Sequence, residues 1–142
     1  MKNIIIIKGH NKYASGVYSS LEMVSGNLEN IYAVDFLSND TDASLADKFN
    51  EITKNKKDFG ILFACDLLGG TPYKEAAKLA FNNKNIRVVT GANMGGIIDS
   101  NFKLSMMEID ALAKNLIIAS TKNLMILDTT KQKIENDTND GI

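Results

Sequence analysis

Two runs in this chain, Ile4-Ile5-Ile6-Ile7 and Ile61-Leu62-Phe63-Ala64-Cys65, are apolar without interruption. Both are far shorter than the ~20 residues that span a bilayer. Neither alternates with polar residues, as a strand with one face in water would. Unbroken runs of this length fit strands covered on both faces, and such strands belong to parallel sheets with helices packed above and below. The chain is therefore constrained to an α/β architecture before any other residue is considered.

The remaining pattern agrees. Strands are expected at 3–8, Ile31–Phe36, Gly60–Cys65 and Ile86–Thr90, with helical spacing between them. Ala14, Val17, Tyr18, Leu21 and Val24 recur every three or four residues, as do Leu45, Phe49 and Ile52. A third helix is expected to begin at Thr71 as N-cap, with Pro72 at the first helical position. Segment 91–96 is rich in glycine and reads as a loop followed by a short helical turn. Ser105 and Glu108 have the spacing of a capping box for a last helix reaching about Ala119. Strands separated by helices form right-handed βαβ units. The expected fold is a single α/β domain over residues 1–130, with an open, mainly parallel four-stranded sheet and helices on both faces. A fifth apolar run at 124–127 is placed as an antiparallel edge strand or as an element pairing with a second subunit. Residues 131–142 read as a polar, flexible tail.

At 142 residues with 44% apolar content, one core is available and two domains are not. Sixteen basic residues against seventeen acidic ones leave a net charge of -1, so no basic stripe marks a nucleic-acid surface. The single cysteine, Cys65, lies inside an apolar run and reads as a small buried hydrophobe. The four isoleucines near the start are cut short by Lys8, Gly9 and His10, without the cleavage pattern of a secretory signal. A cytoplasmic location is expected, with any membrane association peripheral and made through partners.

The chemistry is expected at two strand ends. His10 is the only histidine and closes the first run; Asp66 closes the third and opens Leu67-Leu68-Gly69-Gly70-Thr71-Pro72. Ligands of open α/β sheets gather beyond the carboxyl ends of the strands. A carboxylate on one ring nitrogen would fix the tautomer and leave the other nitrogen free to attack. His10 has four roles open to it: nucleophile, general base, metal ligand or structural group. Asp66 has a competing role as a turn-forming residue. Metal ligation is weakly supported without a second histidine, and no metal or cofactor is expected. Ser15 or Ser19 would be the serine of a hydrolase, but the G-x-S-x-G elbow is absent. A phosphoryl group on His10 would find amide donors at Gly69, Gly70 and Thr71, at the start of a helix, and at Gly9 and Asn11. Neither a nucleotide P-loop nor a dinucleotide fingerprint is present, so the donor of such a group is expected to be another protein or a small phosphate compound.

Three segments taken together resemble the IIA component of the mannose family of the bacterial phosphoenolpyruvate:sugar phosphotransferase system: 4–10, Asp66-Leu67-Leu68-Gly69-Gly70-Thr71-Pro72, and Gly91-Ala92-Asn93. The resemblance covers about residues 1–130. It implies that the histidine carrier HPr delivers a phosphoryl group to His10, with Asp66 as the hydrogen-bonded carboxylate. The group would then pass to a IIB component, and on to sugar entering through the membrane components IIC and IID. It also implies a homodimer, with the run at 124–127 as the strand that packs across it. An apolar rim of Leu67, Leu68, Tyr73 and Met94 is expected to receive the partners, each residue having core packing as its competing role. The chain departs from the family at Asn11, where glycine is usual, at Lys74, where asparagine is common, and at Gly95, where proline is frequent. Two other readings stay open: a regulatory phosphocarrier subunit of a dihydroxyacetone kinase system, and a small hydrolase using His10 and Asp66 as its base pair.

Overall fold

Side chains of the two apolar runs point alternately to opposite faces of a sheet, and both faces are filled. The computed structural model describes residues 2–131. In chain order the elements are β1 (Asn3–His10), α1 (Tyr13–Ser25), β2 (Ile31–Phe36), α2 (Asp42–Thr53), β3 (Gly60–Cys65), α3 (Thr71–Asn82), β4 (Ile86–Thr90), α4 (Met94–Phe102) and α5 (Ile109–Lys122). The strands are ordered β2-β1-β3-β4 and every pairing is parallel. Ile5, Ile7, Leu62 and Ala64 pack on one face against Leu21 of α1, Ile97 of α4, and Leu112 and Leu116 of α5. Ile4, Ile6, Ile61, Phe63 and Cys65 pack on the other against Leu45 and Phe49 of α2 and Ala76 of α3. Burial is complete along β3 and nearly so along β1, whereas β2 and β4 are half-buried edges. This is the pattern that separates central from edge strands.

From β1 the chain moves outward to β2, and from β3 it moves outward the other way to β4. The carboxyl ends of β1 and β3 thus lie side by side where the winding reverses, the place at which open α/β sheets bind ligands.

The structure departs from the sequence reading at several boundaries. β1 runs to His10 rather than ending at residue 8, because Gly9 and His10 still pair with Asp35 and Phe36 of β2. The N-cap of α3 is Gly70, not Thr71, and no side chain caps that end; Thr71 is the first helical residue. Met94–Phe102 forms a full helix where only a turn was expected. Asn93 starts it by accepting the Gly96 amide at 3.0 Å. Gly95 and Gly96 lie against Asn123 and Ser120, where a Cβ would collide, so these glycines let α4 approach α5. The last helix begins at Ile109 with Glu108 as N-cap, so the expected Ser105–Glu108 box does not form. Residues 124–127 form no strand: Leu124, Met125, Ile126 and Leu127 are 71–89% exposed, and the antiparallel edge pairing is absent among the described residues. The tail expected at 131–142 lies outside the described residues from 132 onward.

One buried residue is out of keeping with this core. Lys8 on β1 is fully buried, with its ammonium 4.2 Å from the centre of the Phe49 ring and 5.5 Å from that of Phe63. Among the described residues the Lys8 ammonium has no hydrogen-bond partner. Burial lowers its pKa to about 8, against the opposing pull of Cys65, Glu75 and Asp66. At pH 7 it is charged in both the folded and unfolded states, so the full cost of burying the ammonium is present. Between about 8 and the ordinary 10.5 the unfolded chain binds more protons than the folded one, and stability rises with pH. Lys8→Met is expected to stabilise the fold at pH 7 by about 3 kcal/mol, with most of that advantage over wild type gone by pH 10, because wild type gains stability from about 8 upward. Urea unfolding at the two pH values measures this, and a variant less stable than wild type at pH 7 would contradict it.

Candidate functional site

At the end of β1 the backbone turns sharply. Asn11 has φ 51°, the one positive value at a non-glycine residue among the described residues, and its amide donates to the Phe36 carbonyl at 2.7 Å. Asparagine tolerates this left-handed conformation better than most residues. No side chain of α1 caps its own start; instead Asp35 of β2 accepts the Ser15 amide at 2.9 Å and the Ser15 hydroxyl at 2.6 Å. The Ser19 hydroxyl donates to the Gly16 carbonyl. Both serines considered as hydrolase nucleophiles are therefore bound elsewhere, not to His10.

Asp66 follows β3 directly, and its amide donates to the Lys8 carbonyl at 3.1 Å, which ties the two strand ends together. One oxygen of its carboxylate serves His10 twice. Oδ2 accepts the His10 backbone amide at 2.8 Å and meets His10 Nδ1 at 2.7 Å. The other oxygen accepts the Leu67 amide at 2.8 Å. The turn-forming role considered for Asp66 thus coexists with its contact to the imidazole. Burial pushes the Asp66 carboxyl up, but the hydrogen bonds from His10 and Leu67 outweigh it and hold the pKa below its ordinary value. An ionised Asp66 accepts, so Nδ1 carries the proton and Nε2 presents its lone pair.

Two glycines permit this arrangement. A methyl group on Gly9 would stand 2.8 Å from Asp66 Cγ and 2.5 Å from Tyr13 Cδ1. Gly9, expected among the amide donors, therefore gives clearance beneath the carboxylate. On the opposite edge of the ring, a methyl group on Gly70 would stand 2.5 Å from His10 Cε1 and 2.9 Å from Nε2. The free nitrogen of His10 thus faces the amino end of α3. Gly69, at φ 88°, makes the turn that brings that end into place. The His10 side chain is 45% exposed and that of Asp66 only 10%.

Of the four expected rim residues, Leu67 and Leu68 are exposed beside the site. Tyr73 and Met94 are half-buried, packed against opposite faces of the sheet. Sequence reasoning missed three neighbours. Tyr13 packs on Gly9 and donates to the Ala92 carbonyl at 3.0 Å, joining α1 to the 91–93 loop; burial and the charge of Asp66 raise its pKa. Phe36 meets the His10 ring edge-on at 6.3 Å. Lys8 lies below. Phe36 was visible only as the end of an apolar run and Tyr13 belonged to no pattern; Lys8 carried a signal, a cation closing an isoleucine run. Among the described residues no three carboxylate, imidazole or thiol groups gather where they could hold a metal ion.

Comparison with known proteins agrees across sequence and fold. The family model for EIIA-man, described as the fructose IIA component of the phosphotransferase system, matches residues 4–117. The sorbose-specific EIIA component of Lacticaseibacillus casei is 28% identical over 113 residues, covering 80% of this chain and 82% of that protein. The fructose-specific EIIA component of Bacillus subtilis is 24% identical over 132 residues, covering 92% and 90%. The mannose/sorbose-specific IIA subunit of Enterococcus faecalis superposes with a TM-score of 0.82 at 25% identity, over 94% of this chain and all of that one. Because the family match runs through all four strands and into α5, the chain belongs to the EIIA-man family, the IIA components of the mannose–fructose–sorbose class of the sugar phosphotransferase system.

Proposed function

We propose that His10 is the phosphoryl carrier of a sugar-uptake relay, accepting the group on Nε2 from phosphorylated HPr and passing it to a IIB component. The observation that carries this reading is the polarity of the imidazole. Its Nδ1 edge is held by Asp66 at 2.7 Å, and its Nε2 edge faces the uncapped end of α3. In the transfer the donor's N–P bond breaks as the Nε2–P bond forms. The Nδ1 proton stays on the ring, which becomes cationic, and the Asp66 carboxylate offsets that charge. The phosphoryl oxygens would meet the amides of Gly70, Thr71 and Tyr73, the Thr71 hydroxyl and the positive end of the helix dipole; Pro72 offers no amide. The Asn11 amide, expected as a further donor, is already given to the Phe36 carbonyl.

Exposed Leu67 and Leu68 suit transient docking of HPr and IIB, with Tyr73 and Met94 backing that rim from within the fold. From IIB the group would pass to sugar through IIC and IID. No helix among the described residues is long and apolar enough to cross a membrane, in keeping with a cytoplasmic carrier held at the membrane by its partners. The exposed run at 124–127 is the proposed contact with a second copy. The relatives' sorbose, fructose and mannose systems favour sugar uptake over the dihydroxyacetone branch.

Incubation with phosphoenolpyruvate, enzyme I and HPr is expected to label the wild-type protein with an acid-labile, alkali-stable phosphoryl group. Label persisting on His10→Ala would place the carrier elsewhere. Asp66→Asn removes the charge that assists the hydrogen bond to the His10 ring, worth about 1.5–3 kcal/mol, and is expected to slow transfer about 10- to 100-fold; an unchanged rate excludes Asp66 from the reaction. Gly70→Ala, whose methyl would crowd Cε1 and Nε2, is expected to lower phosphorylation while leaving the unfolding midpoint near wild type. Normal labelling of that variant would show that Nε2 does not react from this position.

A further inference from the structure

His10 and Lys8 lie two residues apart on β1, so they project from the same face of the sheet. That face is covered by α2 and α3, and the amino end of α3 is where the free edge of the imidazole points. The Lys8 ammonium is thus sealed in the layer beneath the site, over the rings of Phe49 and Phe63 and without a hydrogen-bond partner among the described residues. Aromatic faces attract a cation but accept none of its hydrogen bonds in full.

The charged or titratable groups that reach Lys8 are Cys65 of β3, Glu75 of α3 and Asp66. None is committed to it. Burial pushes the Cys65 thiol up to about 12, which keeps it neutral. Glu75 is paired with Lys78 at 2.5 Å. Asp66 spends its two oxygens on His10 and Leu67. On its own strand the nearest titratable group is His10. A buried cation without a dedicated anion destabilises the resting protein, and a place two residues below the reacting ring is where an arriving anion would relieve it.

We propose that Lys8 is the buried counter-charge of the phosphoryl group on His10, and that molecules in which Lys8 is neutral bind a proton as the group arrives and release it as the group leaves. This rests on the carrier reading given above and adds a proton to it. The phosphoryl transfer itself needs none. In molecules whose Lys8 is neutral, solvent supplies one proton to Nζ when the anion forms, and returns it to solvent on transfer to the acceptor. Because burial already brings the Lys8 pKa to about 8, a modest field is enough to move its occupancy in the physiological range. Linkage makes the effect reciprocal: a protonated Lys8 strengthens phosphoryl retention by the factor through which the phosphoryl group strengthens proton binding. Lys8 does not touch the reacting atoms, so it is a positioning charge and not a catalytic residue.

The test has two arms. In the first, the full-length protein with ¹⁵N-labelled lysine is titrated by NMR, free and after phosphorylation of His10 with the small donor phosphoramidate. The Lys8 midpoint is expected to rise by about one pH unit on phosphorylation, a tenfold coupling; an unmoved midpoint overturns the proposal without any mutation. In the second, wild type and Lys8→Met are equilibrated with the same phospho-HPr pool from pH 6 to 9.5, so that the donor's own titration cancels in the ratio. The variant is expected to hold the phosphoryl group about tenfold less tightly at pH 7, with the difference fading above pH 9. Equal retention at every pH overturns the proposal while leaving the relay intact. If HPr never labels His10 but the phosphoramidate adduct still shifts Lys8, the relay falls and the coupling stands.

Discussion

A single oxygen of Asp66 holds His10 by both its backbone amide and its ring, and the rest of the site depends on that double hold. The backbone bond fixes where the residue leaves β1; the ring bond fixes how the imidazole is turned and which nitrogen carries the proton. Neither would form if β1 and β3 were not neighbours in register, since Lys8 lies opposite Cys65 and its carbonyl receives the Asp66 amide. Nor would they form with a side chain at residue 9, because Asp66 and Tyr13 occupy that space. The sheet order therefore does chemical work: it places an acid from one βα unit against a base from another, at the point where the winding changes direction.

The two helices on that face end differently, and the contrast marks the site. Thr41 caps α2 through a reciprocal pair of bonds with Ser44, and Asp42 adds a negative charge in the first turn. A cap of this kind stabilises a helix by about 1 kcal/mol. At the start of α3 there is neither: Gly70 has no side chain to offer and the first turn contains no acid. The amides and the dipole that α2 satisfies internally remain open at α3, beside the Nε2 edge of His10. An anion bound there would serve as the missing cap, so phosphoryl retention and helix stability would rise together.

Much of this was legible in the sequence, for reasons that also explain the rest. The isoleucine run and residues 61–65 identified central parallel strands because burial on both faces leaves no alternation to misread. Since ligand sites of such sheets lie at strand ends, His10 and Asp66 could be named as a pair across 56 positions, and the structure brings them to 2.7 Å. The helix starts were less readable because capping is decided by tertiary contacts. Asp35 of β2 serves the first turn of α1, Gly70 displaces Thr71 at α3, and Glu108 displaces Ser105 at α5. Glycines also misled: Gly95 and Gly96 suggest a loop by propensity, but they are helical because α5 comes too close for any Cβ. The run at 124–127 has strand composition without a strand partner inside the chain. Composition alone does not distinguish pairing within a chain from pairing between copies.

Lys8 shows what a pattern of apolar residues leaves out. Read as patterning, a lysine after four isoleucines marks the end of a buried strand; in the structure burial continues through it and through Gly9. Exposed pairs such as Lys54 with Glu51 are screened by water and contribute little either way. Beneath the sheet's end there is no such screening, so a charge there is costly at rest and strongly responsive to a neighbour that changes its own charge. These are one property seen in two states. In the relay proposed for His10 the imidazole would alternate between a bare and a phosphorylated state, and only a group inside the low-dielectric layer would feel that alternation in full. The cost of Lys8 in the resting protein and its sensitivity to the bound group should therefore scale together, both set by how completely Phe49 and Phe63 exclude water from the Lys8 ammonium.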